Sequence, residues 1–281
     1  MKICYLMLIH HKFDQAKRLI KKLANTESCF VIHIDAKVDQ TVYNKFIEDI
    51  SDINSIYFSK RINVKWGAYS LAEAIMETIL HAVDCAKINS PRFMLVSGQE
   101  YPIVSNNDIF EFLNKHSNEE FIEAHLLDFT EDKSKTCTPY YRFVRYHFWF
   151  GRKHISTNII KKKLPSIPIY HGSAWWLLTK DAISYIANEY KHNQKLKKFF
   201  SSGFYVDEAY IHTLLMSSPF SKNVTYHNVT YTDWRNPTGP HPKTLGKNDL
   251  SDMRRSNCLV ARKFDYDHDH EIFDILDNIT T

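Results

Sequence analysis

The sequence predicts an α/β fold in which helices cover a sheet of buried strands, and two observations support this. Short continuous apolar runs, such as "KICYLMLIH" (2–10) and "RFMLVSG" (92–98), are typical of strands buried on both faces. Up to about residue 120, such runs alternate with amphipathic segments, which favours a parallel sheet built from strand–helix–strand units.

The spacing of the apolar residues predicts the individual elements. The first half has predicted strands at 2–10, 29–35, 55–59 and 92–98, and predicted helices at 13–25, 40–50, 70–86 and 106–116. Asp14 and Ser70 are placed to cap two of these helices. The less regular second half has predicted strands at 119–127, 173–179 and 223–234, and predicted helices at 180–190, 207–215 and 271–279.

Composition narrows the class of protein. A hydrophobic content of 44% with 24% charged residues is that of a globular chain, and a net charge of +4 is too small to indicate nucleic-acid binding. The scattered cysteines indicate a reducing compartment rather than a disulfide framework or a zinc site: Cys4, Cys29, Cys85, Cys137 and Cys258. The first apolar run is too short to span a bilayer and no small-residue cleavage site follows it, so a buried strand is expected there.

Polar residues stand at the ends of two predicted strands. Asp35 ends "VIHIDAK" with Lys37 close behind, and Gln99 and Glu100 follow "LVSG". Ligands of open α/β sheets bind beyond the carboxyl ends of the strands, so Asp35 is a candidate to hydrogen-bond a nucleoside. The alternative for Asp35 is a turn-forming residue.

Two segments carry tryptophan beside small residues. Asn63 and Trp66 precede a predicted helix, where a core position is the commoner role for a lone Trp. Trp175 and Trp176 lie in "GSAWWLLT", and on a strand they point to opposite faces. Therefore only one of the two can pack in the core on a given face of the strand, and the other can stack on a sugar ring.

The pair Asp207 and Glu208 in "GFYVDEAYIHTLL" admits two interpretations. Both acids can belong to a capped surface helix, or one can cap the turn while the other takes a proton in a cleft.

Two further charged segments also have alternatives. "DYDHDHE" (265–271) is either an exposed acidic turn or a metal site, and a metal site would favour a metal-dependent hydrolase. The basic "GRKHISTNIIKKKLP" (151–165) is either a solvated loop or a surface that meets a membrane carrying a lipid-linked acceptor.

Several motifs resemble, in the same order, those of the core-2/I-branching glycosyltransferase family (glycosyltransferase family 14), which includes peptide O-xylosyltransferases. The resemblance covers about residues 2–275, and the motifs are "HIDAK", "WGAYSLAEA", "LVSGQEYPI", "GSAWWLLTKDA", "DEAYIHTLL", "HPKTL" and "CLVARKFD". It implies a compact, bacterial-type member with a GT-A type fold, whose mixed central sheet is flanked by helices. It also implies a single catalytic domain (1–281) with a nucleotide-binding half (1–120) and an acceptor-binding, catalytic half (121–281).

The resemblance also implies site residues. Glu208 matches the catalytic base, Asp35 the acid that contacts the nucleoside, and Glu123 an acidic residue of the acceptor site. Lys263, fourteen residues after Asp249, matches a residue that binds the diphosphate without a metal. The family's second diphosphate-binding residue, an Arg, has no match, and the candidates to replace it are Arg235, His241, Lys243, Arg255 and Arg262.

The expected reaction is an inverting, metal-independent transfer of a sugar from a UDP-sugar to a carbohydrate hydroxyl, and the expected sugar is N-acetylglucosamine. Xylose, glucose or galactose donors and a non-catalytic glycan-binding protein are the alternatives. Lys37 and Asn63 are further candidates for the nucleotide sugar, whereas Glu100, Trp175, Trp176 and Asp207 are candidates for the acceptor. We expect no cofactor, a cytoplasmic location with peripheral membrane contact, and a role in surface-polysaccharide or oligosaccharide synthesis.

Overall fold

The computed structural model describes residues 2–130, 138–151, 153–235, 237, 239 and 241–279. Its strands, in chain order, are β1 (Ile3–Ile9), β2 (Ser28–Ile34), β3 (Ile56–Phe58), β4 (Arg92–Ser97), β5 (Glu100–Pro102), β6 (Phe121–Ile122), β7 (His125–Leu126), β8 (Arg145–Phe150), β9 (Lys153–Lys161), β10 (Tyr170–His171), β11 (Trp176–Thr179), β12 (Thr230–Thr232) and β13 (Val260–Arg262). Its α-helices are α1 (Phe13–Leu23), α2 (Gln40–Asp49), α3 (Tyr69–Leu80), α4 (Asn106–Lys115), α5 (Pro139–Val144), α6 (Lys180–His192), α7 (Gln194–Phe200), α8 (Tyr210–Met216), α9 (Leu250–Arg255) and α10 (Glu271–Ile279).

A mixed six-stranded sheet forms the centre, in the order β3-β2-β1-β4-β11-β6. The four strands of the first half run parallel, whereas β11 runs antiparallel to both β4 and β6. The predicted mixed sheet flanked by helices is therefore confirmed. Strands of the second half complete a sheet that the first half begins.

Alternate residues of β1 belong to two hydrophobic cores, one on each face of the sheet. Ile3, Tyr5 and Met7 lie in a core with residues of α1 and α10. Cys4 and Leu6 lie in the other core with residues of α3, α6 and α8. Because both faces are covered by helices, every residue of β1 is apolar, which is why its continuous apolar run predicts a buried strand.

The predicted helices and buried strands occur near their predicted positions, but some local details differ. The segment 223–234 forms a strand only at Thr230–Thr232, and Asp14 and Ser70 cap no helix: α1 and α3 begin after Lys12 and Ala68, without a side-chain cap. Ser70 instead accepts a hydrogen bond from the backbone nitrogen of Lys65.

The basic segment 151–165 is not a loop over most of its length. Lys153–Lys161 forms β9, which pairs antiparallel with β8. Arg152 and Cys137 lie outside the described residues. Among the residues that the structure describes, no helix has the length and apolar character needed to cross a bilayer.

Candidate active site

A cleft of about 920 Å³ opens beside the carboxyl ends of β1 and β4. Both halves of the chain contribute to it, and its volume suits a ligand of the size of a nucleotide sugar. The ionisable and aromatic residues that line it are His10, His11, Trp66, Glu123, Arg142, His171, Trp175, Tyr205, Asp207, Glu208, Trp234, His241, Arg262 and Lys263.

Glu208 ends a short 3₁₀ turn, Val206–Glu208, at the cleft. Its side chain is 41% exposed, and Arg142 Nη2 donates to its Oε2 at 3.0 Å. Partial burial raises the pKa of Glu208, and the Arg142 guanidinium opposes that rise. Glu208 is thus a held but accessible carboxylate, as a general base requires.

Arg142 is a site residue that the sequence analysis missed. It lies on α5, is 7% exposed, and donates to the backbone oxygens of Phe204 and Tyr205 at 3.3 and 2.7 Å as well as to Glu208. A single guanidinium therefore ties the segment before the acidic pair to the carboxylate itself. The only sequence signal was a basic residue within an aromatic run, which indicates no partner.

Gly172 brings the predicted base and the predicted acceptor residue together. A Cβ on Gly172 would stand 1.8 Å from the backbone oxygen of Glu123, so only glycine fits there. The Gly172 nitrogen in turn donates to the backbone oxygen of Glu208 at 3.0 Å. The small residues of "GSAWW" thus let the backbones that carry Glu123 and Glu208 approach closely.

Asp207 does not cap a helix, contrary to the capping role that it has in both interpretations. Helix α8 begins after Ala209 without a side-chain cap. The Asp207 Oδ1 atom is buried and has no hydrogen-bond partner among the described residues. Burial and the charge of Glu208 raise the pKa of Asp207 to about 7.

Arg262 and Lys263 form a cationic part of the cleft. The Arg262 guanidinium lies 4.4 Å from the centre of the Trp175 ring, and its Nε donates to Glu100 at 2.7 Å. Burial lowers the pKa of Lys263, and the charge of Arg262 lowers it further. Glu100 is fully buried and accepts from Ser97 as well, so it positions Arg262 and cannot face an acceptor, contrary to the prediction.

Three histidines of the cleft, His10, His11 and His241, lie near these cations. Burial lowers the pKa of each, that of His11 to about 4, and the charge of Lys263 acts in the same direction. They are therefore neutral at pH 7 and can donate or accept single hydrogen bonds. Trp66 is 52% exposed and contacts His241 and Tyr205 edge-on, so it lines the cleft instead of packing in the core.

Asp35 lies at the predicted edge of the sheet, in a smaller cavity of about 220 Å³ that shares His10 and Trp66 with the main cleft. Its Oδ1 accepts from the Lys37 backbone nitrogen at 2.8 Å, and Lys37 Nζ lies 3.4 Å from Oδ2. The strand-end prediction thus places both residues beside the cleft, whereas Asn63 is exposed and lines neither cavity.

Four other predicted residues lie away from the cleft. Trp176, the first residue of β11, is 1% exposed and packs in the core, whereas Trp175 precedes the strand and is only partly buried. Arg235 pairs with Asp233 and Asp252, and Lys243 pairs with Asp249, so their charges are already neutralised. Neither lines the main cleft, which corrects the prediction that they contact a diphosphate; Arg255 lies beside Arg235 and pairs with Asp252.

The "DYDHDHE" acids form contacts within the protein. Asp265 and Asp267 both pair with Lys12. Asp269 accepts from the backbone nitrogens of Lys247 and Ile272, at 2.8 and 3.3 Å, just before α10. These acids tie the C-terminal segment to the ends of other elements.

Comparison with known families matches residues 3–255 to the family described as Core-2/I-Branching enzyme. Xylosyltransferase 2 of Rattus norvegicus is 23% identical over 296 aligned residues, which cover 98% of this chain and 33% of the relative. A xylosyltransferase of Ciona intestinalis is 22% identical, with 98% and 34% covered. The chain thus spans about a third of the length of the curated relatives it matches.

Among solved structures, TarS 1–349 of S. aureus is similar in part. It is 13% identical with a TM-score of 0.33, and the match covers 52% of this chain and 41% of that one. A second structure of the same protein, in complex with UDP, gives the same identity and TM-score.

Proposed function

The chain belongs to the Core-2/I-branching enzyme family, and from this premise we propose that it is an inverting glycosyltransferase that uses a UDP-sugar. The observation that supports this most directly is the composition of one cleft. A held, accessible carboxylate, Glu208, shares it with two cations, Arg262 and Lys263. An inverting transfer needs these two kinds of group and no covalent partner.

In the proposed reaction, Glu208 takes the proton of the acceptor hydroxyl as its oxygen bonds to the anomeric carbon. The bond from that carbon to the diphosphate breaks on the opposite face, and its electron pair leaves with UDP. A diphosphate leaves as an anion, so it needs positive charge instead of a proton. Lys263 and Arg262 would supply that charge, in the role that a metal ion has in other transferases.

We propose N-acetylglucosamine as the first donor sugar to test and xylose as the second. Xylose is favoured by the relatives named above, which are xylosyltransferases. Glucose and galactose complete the set. A thermal-shift screen against the four UDP-sugars discriminates among them, because the ligand that binds the folded state most tightly raises the melting temperature most at equal concentration.

For the acceptor we propose a carbohydrate or a lipid-linked oligosaccharide in surface-polysaccharide synthesis at the cytoplasmic side of the membrane. Glu123 and Trp175 line the cleft together with Glu208. A carboxylate accepts hydrogen bonds from sugar hydroxyls, and an indole ring packs against the apolar face of a sugar.

The test is Glu208→Gln. The amide keeps the size of the side chain but cannot accept a proton, so we expect kcat to fall by about 10²- to 10⁴-fold with little change in the Kd for UDP. Glu111→Gln, on the exposed side of α4, is the matched control. Full turnover by Glu208→Gln would exclude the assignment of the base. A wild-type protein that binds glycan and UDP-sugar but transfers nothing would instead indicate a glycan-binding protein.

A further inference from the structure

The hairpin formed by β8 and β9 has an outer face of exposed apolar side chains. Side chains alternate along β8, so Phe148 and Phe150 share one face, at 44% and 69% exposure. Across the hairpin, Phe148 pairs with Ile155 and Phe150 with Lys153. Ile155 is 41% exposed and Lys153 is also exposed, so this face combines apolar rings with a cation.

The inner face of the hairpin is packed on the protein. His147 and His154 stack on the Phe204 ring, with centroids 5.3 and 4.7 Å away, and Trp149 contacts the same ring. Phe204 directly precedes Tyr205, which lines the cleft. The hairpin is therefore anchored beside the part of the cleft that Tyr205 lines, and its outer face has a fixed position relative to the site.

The end of β9 and the residues after it carry further exposed apolar and basic side chains. Ile159 and Ile160 are 93% and 64% exposed, next to exposed Lys161 and Lys163. Lys162, between these two, is buried and donates to the backbone oxygen of Phe199. Large apolar side chains at such exposure, interleaved with lysines, are typical of interfacial membrane-binding segments.

Charge along the chain singles out the same region. Residues 133–180 contain ten Lys or Arg and no Asp or Glu. Because the whole chain carries +4 and this segment carries +10, the other residues together carry −6. A second copy of the chain on this face would bring lysines against lysines, whereas an anionic surface neutralises them.

We propose that the outer face of the β8–β9 hairpin docks the protein on an anionic lipid bilayer, with Phe150 and Ile159 inserting between the headgroups. The docking follows from the hairpin alone. Its use, which is to hold the cleft near a lipid-linked acceptor, rests on the proposed function.

The test is flotation of the protein with vesicles of phosphatidylcholine alone or with 30% phosphatidylglycerol, without substrates. We expect binding to the anionic vesicles only, weakened by raising the salt from 0.1 to 0.5 M. The double variant Phe150→Ser/Ile159→Ser should lower the partition coefficient by at least about tenfold, since each change removes a buried apolar contact with lipid. Lys153→Glu/Lys161→Glu should lower it by a similar factor.

The matched control is Val42→Ser/Lys45→Glu, which changes one exposed apolar and one exposed basic side chain on α2. It should bind vesicles as the wild type does, and all variants should keep the wild-type melting temperature. Equal binding by wild type and Phe150→Ser/Ile159→Ser would overturn the proposal. So would a lipid-free dimer that the same variant dissociates. Because no step involves sugar transfer, failure here is separate from failure of the proposed reaction.

Discussion

The cleft has a cationic part and a carboxylate part, and the pKa values of their ionisable groups are shifted in opposite directions. In the cationic part, Arg262 and Lys263 lie near histidines whose pKa values are lowered by burial. In the carboxylate part, Asp207 and Glu208 have raised pKa values, and Arg142 is the cation of the described residues that contacts Glu208. Groups at a cleft that are pushed away from their ordinary pKa values in opposite directions are typical of sites that move a proton on one side and stabilise an anion on the other.

The difference between the parts also concerns what holds them. Arg262 is fixed by Glu100 and Trp175 and lines the cleft. Arg142 donates hydrogen bonds to groups of the protein itself, namely the backbone oxygens of Phe204 and Tyr205 and the carboxylate of Glu208. We infer that one arginine belongs to substrate binding and the other to positioning, and the following experiments separate the two roles.

The largest effect is expected for Arg142→Ala, in the carboxylate part. Glu208 would lose its only described cationic partner and its orientation, so kcat should fall by about 10- to 100-fold, as small misplacements of a reacting group do. Removal of the cation should also raise the pKa of Glu208 further and move the acid limb of the kcat–pH profile to higher pH.

Arg142→Lys keeps the charge but not the forked geometry, so it should restore the position of the acid limb and only part of kcat. A fall in kcat with an unmoved acid limb and a lowered melting temperature would show that Arg142 acts only on folding. The melting temperatures of both variants are therefore measured as the control.

A smaller effect is expected for Lys263→Ala, in the cationic part. Loss of one charged contact to the diphosphate should weaken UDP binding by about tenfold, or about 1.4 kcal/mol, by calorimetry, and leave the acid limb of kcat where it is. Lys45→Ala, on exposed α2, is the control. Turnover should be unchanged by EDTA if these cations serve the leaving group. Unaltered UDP affinity in Lys263→Ala, or inhibition by EDTA, would contradict this part.

The smallest effect concerns stability. Because the pKa of Asp207 is raised to about 7 in the folded protein, the folded state keeps a proton that the unfolded chain loses near pH 4. The stability from this carboxyl is therefore present at low pH and is lost as the pH rises through about 7. The side chain of Asp207→Asn cannot ionise. At pH 8 the free energy of unfolding of this variant should therefore exceed that of the wild type by at least about 1 kcal/mol, and near pH 4 it should not exceed it.

Asp233→Asn is the control with the opposite sign. Pairing with Arg235 lowers the pKa of Asp233 to about 2, so its contribution is present at neutral pH and is lost as the pH falls toward 2. Urea unfolding at pH 4 and pH 8 should thus show a gain for Asp207→Asn and a loss for Asp233→Asn at pH 8. Equal curves for wild type and Asp207→Asn at both pH values would refute the raised pKa.

The sequence by itself determined the elements whose signal is local. Continuous apolar runs predicted β1, β2 and β4 because both faces of these strands are buried, and the strand-end position of Asp35 follows from the same pattern. The order of the motifs predicted the family. Where the pattern was irregular, at 223–234 and at the basic segment 151–165, the prediction was wrong or incomplete, because these strands are short or half-exposed.

Only the tertiary structure decided which groups meet. Arg142 reaches Glu208 across 66 positions and Glu100 reaches Arg262 across 162, and no local pattern records such pairs. The structure also decided that Trp175, and not Trp176, faces the cleft, since Trp175 lies just before β11, whereas Trp176 begins the strand, pairs with Ile122 and is buried in the core. Side-chain identity limits what chemistry a residue can perform, but burial and partners set its charge and direction, and these depend on residues far away in the chain.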